Sequence, residues 1–90
     1  MNDGNPQIKT VALERPAPKL VQEILEGLHK LERSALSTRF NFLVNGQSGN
    51  SCEFDLGVCK GYADMLFFAG RIDSKQQQAL TCYALDLSLG

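Results

Sequence analysis

From Pro18 onward, apolar and β-branched residues return at alternating intervals of three and four. Val21, Ile24, Leu28, Leu31, Ala35, Thr38 and Phe42 fall on one stripe of a helical surface, and Leu20, Leu25, Leu36 and Leu43 broaden it. Pro18 suits a first turn, where a missing N–H has no intrahelical partner to lose. Glu23 and Glu26 precede Lys30, Arg33 and Arg39, the polarity that the helix dipole favours. With Asn45-Gly46 as a terminator, the pattern predicts one long amphipathic helix from Pro18 to Val44, bent near Ser34 or Ser37. A seam of that length invites pairing with a helix of a second chain.

Gln47-Ser48-Gly49-Asn50 reads as a loop, after which Asn50 or Ser51 caps a second helix running from about Cys52 to Ala69. Phe54, Leu56, Val58, Cys59, Tyr62, Met65, Leu66, Phe67 and Phe68 make that helix apolar around most of its circumference, so it needs cover on most sides. Gly57 and Gly61 lie four apart on it, each costing ~1 kcal/mol of helix propensity relative to Ala. Two readings fit them: close approach of another helix, or an irregular start with the true helix beginning near Lys60. Gly70-Arg71-Ile72-Asp73 then turns the chain, and Asp73 with Gln76 forms a capping-box pattern for a third helix carrying Leu80, Tyr83, Ala84 and Leu87. The fold class expected is therefore all-α: one long amphipathic helix, then a helical hairpin.

Residues 1–15 stand apart as an N-terminal arm, expected to be flexible, ahead of a single helical domain over residues 16–90. The arm opens polar and turn-rich, then offers Ile8, Val11 and Leu13 before Pro16-Ala17-Pro18 closes it. It is read either as a tail lying on its own domain or as a segment that docks on a neighbouring subunit or partner. The longest apolar run, Met65 to Ala69, falls far short of the ~20 residues of a membrane span. No apolar h-region occurs in residues 1–15, and the cysteines number three, so a cytoplasmic protein with reduced thiols is expected.

The single histidine, His29, falls on the polar side of the long helix with no nucleophile signature to accompany it. Cys52 and Cys59 are spaced C-x₆-C, roughly 10 Å apart on a helix, too far for a zinc knuckle. Asp55 and Asp64, nine apart, turn to opposite faces, and no phosphate-binding glycine loop occurs. No catalytic residue, cofactor or metal is expected. Nucleic-acid binding has a concrete form: residues 62–85 as a helix-turn-helix, with Gln76, Gln77 and Gln78 at the reading end and Arg71 and Lys75 on phosphates. Against it, the full chain has nine basic and ten acidic residues, and residues 46–90 hold three basic against five acidic.

The stretch Tyr62-Ala-Asp-Met-Leu-Phe-Phe-Ala-Gly-Arg-Ile-Asp-Ser-Lys-Gln-Gln-Gln-Ala-Leu resembles the "helix, Ala-Gly-x-Ile-Ser/Asp, helix" hairpin of small accessory proteins from bacteriophages and prophages. The polar start and long amphipathic helix are similar to theirs too. The resemblance implies work by binding: blocking a host protein, as anti-CRISPR and other anti-defence proteins do, or sequestering a signalling nucleotide as an oligomer. The expected function is thus a non-enzymatic, phage-type inhibitor of a bacterial defence complex. The exposed stripe Lys30, Arg33 and Ser37 is the expected partner-binding surface, with Ile8 and Val11 of the arm as docking points. Ile24, Leu28, Leu31, Phe42 and Phe68 are the expected self-association positions.

Overall fold

A computed structural model describes residues 10–90 and shows four helices: α1 (Lys19–Glu26), α2 (Lys30–Asn45), α3 (Cys52–Phe68) and α4 (Ser74–Leu89). Among the described residues there is no strand, so the chain is all-α there. Among the described residues no helix is long and apolar enough to cross a membrane. The single helix expected from Pro18 to Val44 is corrected to two. Gly27 donates to both Glu23 O and Ile24 O at 3.1 Å, and Leu28 N–H bonds to Leu25 O at 3.2 Å, tightening the end of α1. His29 is extended (φ −62°, ψ 153°), and the Glu32 carboxylate reaches back to accept its N–H at 3.2 Å.

The break shifts the helical phase. In α1, Val21, Ile24 and Leu25 are buried, and Leu28 follows them inward from the connection. In α2 the inward positions are Leu36, Ser37, Phe40 and Asn41, while Leu31 is 66% exposed. Ile24 and Leu28, expected at a subunit contact, are therefore spent on the chain's own core, and Ser37, expected on an exposed stripe, is 2% exposed.

Local signals explain the remaining elements. Gly46 at φ +68° ends α2, and the Ser51 hydroxyl caps α3 by accepting from Phe54 N–H at 3.1 Å. Helix α3 is regular from Cys52, so the glycines do not mark a late start. At its end Gly70 takes φ +74°. Its N–H bonds to Phe67 O while Arg71 N–H bonds to Leu66 O, a Schellman closure that only a residue at ease with positive φ completes without strain. Asp73 and Gln76 exchange hydrogen bonds of 2.7 and 2.9 Å in the expected capping box of α4. Helices α3 and α4 run antiparallel along their length, tied by Gln77 Nε2 to Asp64 Oδ1 at 2.7 Å towards one end and by Cys52 Sγ near Ser88 O at the other. Leu66, Leu80, Ala84 and Leu87 meet Leu36 and Phe40 in one core, and Phe40 packs edge-on against Tyr83, ring centroids 4.9 Å apart.

Candidate partner-binding groove

Residues 10–17 lie on the helices, held by polar groups that the shifted phase of α2 turned inward. Asn41 grips the backbone with both ends of its amide: Oδ1 accepts from Glu14 N–H at 2.9 Å and Nδ2 donates to Ala12 O at 2.9 Å. Val11 N–H bonds to Ser34 Oγ at 3.1 Å, Asn45 Nδ2 donates to the Glu14 carboxylate at 2.8 Å, and the Tyr83 hydroxyl donates to Arg15 O at 2.7 Å. Gln22 Nε2 donates to Ala17 O at 2.7 Å, fixing the entry to α1. Buried polar atoms require such partners, so the segment and the α2 face are satisfied by one another.

Between this segment and the helices runs a groove of about 290 Å³. Thr10, Val11, Ala12 and Leu13 form one wall; Gln22, Leu25 and Glu26 of α1 and Arg33 and Ser37 of α2 form the rest. Three expected site residues are thus brought together: Val11, Arg33 and Ser37. Lys30 is exposed in the first turn of α2 and does not line the groove, and Ile8 lies outside the described residues. The salient atom is Arg33 Nε, buried and without a hydrogen-bond partner among the described residues. A buried guanidinium N–H left unmatched is costly, and the Arg33 side chain that carries it lines the groove.

The other residues singled out in the sequence are scattered. Leu31 (66%) and Phe68 (81%) are exposed, and Phe42 is half-buried under the Arg39 guanidinium, 5.8 Å from its ring centroid. Arg71, expected on phosphate, is engaged in a two-bond pair with Glu32 at 2.7 and 3.0 Å; this holds the Glu32 carboxyl below its ordinary range. Gln76 caps α4 and Gln77 holds Asp64, leaving only Gln78 of the three glutamines unused by these contacts. Among the described residues, no three His, Cys, Asp or Glu side chains gather in a way that would hold a metal ion.

Sequence reasoning missed three polar anchors: Asn41, Glu32 and Asp55. Asn41 and Ser37 stand four apart, a spacing that signals a shared polar face once the phase of α2 is known. Glu32 follows His29 by three, a capping-box signal that went unread inside a continuous stripe. Asp55 is 2% exposed: its Oδ2 accepts from Ser48 Oγ at 2.7 Å, and its buried Oδ1 has no partner. One turn on, Cys59 is also buried, and desolvation, helped by the Asp55 charge and opposed by Arg39, pushes its thiol up to about 12. Compared with protein-family models, curated proteins and solved structures, the chain matches none.

Proposed function

We propose that this protein is a non-enzymatic interaction protein, an inhibitor of the phage type, which binds a host protein of a bacterial defence complex in the cytoplasm through the groove between residues 10–13 and helices α1 and α2. The Arg33 guanidinium carries the proposal, because it lines the groove while its buried Nε lacks an acceptor among the described residues. A protein partner supplies that acceptor as a side-chain carboxylate or a backbone carbonyl. The groove's volume of about 290 Å³ sits at the lower edge of the ~300–1,000 Å³ of small-molecule sites, which favours a single inserted side chain over a whole nucleotide. Lys30, exposed one turn away, steers an acidic surface towards it.

Two other readings fare less well. A helix-turn-helix sets its helices at ~90–120° and leaves the start of the second free to enter a groove of DNA. Here α3 and α4 are antiparallel, with Gln76, Gln77 and Arg71 committed within the chain. Nucleotide capture calls for several converging cations, whereas among the described residues Arg33 shares its groove with Glu26 and with no second basic residue.

The test is a nuclease-treated pull-down from lysates of bacteria that carry defence systems, using wild type, Arg33→Lys, Arg33→Ala and Lys30→Ala. A host protein retained stoichiometrically by wild type and lost with Arg33→Lys supports the groove, since lysine keeps the charge but loses the Nε donor. Lys30→Ala is expected to slow association and reduce its salt dependence. Retention of the same protein by both Arg33→Lys and Arg33→Ala would place the contact elsewhere, and recovery of the bait alone would remove the inhibitor reading.

A further inference from the structure

Helix α3 has an outer face that its own chain leaves uncovered. Phe54 is 53% exposed, Met65 58% and Phe68 81%, and with exposed Gly57 and Gly61 they form one stripe. Along the helix the intervals 54–57–61–65–68 are three, four, four and three, a sequence symmetric about Gly61. A Cβ placed on Gly57 or Gly61 meets nothing within 4 Å, so no packing among the described residues asks for glycine at either position. Each nonetheless costs ~1 kcal/mol of helix propensity. The hollow they leave, flanked by three large apolar side chains, suits another helix backbone approaching closely.

We infer that α3 pairs with α3 of a second copy, antiparallel, across a two-fold axis passing beside Gly61. In that register Phe54 lies against the partner's Phe68, Met65 enters the hollow above the partner's Gly57, and the two Gly61 backbones cross at closest approach. The charged flank agrees. Lys60 stands two residues, about 3 Å of helix rise, from facing the partner's Asp64, a pair that symmetry gives twice, and as far the other way from the partner's Lys60, a repulsion that it gives once. Asp64 spends Oδ1 on Gln77, and its second oxygen meets the incoming ammonium. A parallel, in-register pair instead sets each large residue against its own counterpart and each glycine against glycine, leaving Gly57 unfilled. The flexible methionine thioether is the side chain best able to fill such a hollow.

Sedimentation equilibrium from about 1 µM to about 100 µM should show twice the monomer mass, with Met65→Glu monomeric and Lys60→Glu weaker by roughly tenfold. Circular dichroism of the variants should match wild type, because Met65 and Lys60 are exposed and outside the core. In a Cys52→Ser, Cys82→Ser background, chains carrying Phe54→Cys should cross-link to chains carrying Phe68→Cys and not to themselves. A monomer throughout the concentration range, a dimer indifferent to Met65→Glu, or like-with-like cross-linking at position 54 or 68 would overturn the pairing.

Discussion

Asn41 shows what one buried amide does for a chain this short. Its two hydrogen bonds hold Ala12 and Glu14, and truncation leaves a partly buried N–H and a carbonyl without partners. Asn41→Ala is expected to lose about 2 kcal/mol, read as a lowered urea midpoint, with faster amide exchange at Glu14. Cys59 behaves differently from its two companions. Cys52 and Cys82 are exposed and should react promptly with a thiol reagent, whereas Cys59 should react only on unfolding. Its folded value of about 12 lies above the ordinary 9.0. The unfolded thiol therefore ionises first as the pH rises, so stability is full below pH 9 and declines between 9 and 12. A Cys59→Ala variant, measured by urea denaturation across that window, should lack this part of the decline. At this scale the sequence was partly legible. Cys59 and Cys82 both read as small core residues, and the structure buries Cys59 but leaves Cys82 exposed; Ser37 read as exposed because it continued the spacing of Lys30 and Arg33.

That misreading belongs to the elements. A stripe in constant phase from Val21 to Phe42 describes one helix only if nothing interrupts it, and Gly27-Leu28-His29 does. Glycine and a capping histidine are weak signals inside strong periodicity, and the phase shift shows only when burial is known: Leu31 out, Leu36 and Phe40 in. The end of α3 and the start of α4 were legible because their signals are local and redundant, with a helix-ending glycine and a reciprocal Asp73–Gln76 cap within seven residues. Glu32 secures the break twice, by taking the His29 N–H and by pairing with Arg71 beyond α3. Its carboxyl is held below its ordinary 4.5, chiefly by the Arg71 hydrogen bonds, so its contribution is present above that pH and lost as pH falls through the folded value. Thermal melts of wild type and Glu32→Gln should accordingly converge as the pH is lowered below 4.5 and separate above it.

For the whole molecule, the groove is built from residues 10–13, α1 and α2, whereas the apolar outer face belongs to α3 alone. Met65→Glu should therefore abolish self-association while leaving the pull-down unchanged, and Arg33→Lys should do the reverse. Neither surface was legible as a site beforehand. Arg33 was chosen for its charge, and the missing bond that singles it out is visible only in three dimensions. Phe68 was picked out for self-association, but its partners on the stripe depend on which side of α3 the core covers.

The Tyr83–Arg15 hydrogen bond spans 68 residues, and its consequence lies in time as well as in space. The α3–α4 hairpin closes between neighbours in sequence and can assemble early, but residues 12–15 have nothing to grip until α2 and α4 stand side by side. Locking that segment is then the last event of folding and the first to reverse. Tyr83→Phe, which deletes the tie and keeps the ring, should leave the refolding rate nearly unchanged and speed unfolding about fivefold, visible in a stopped-flow chevron as a raised unfolding limb alone.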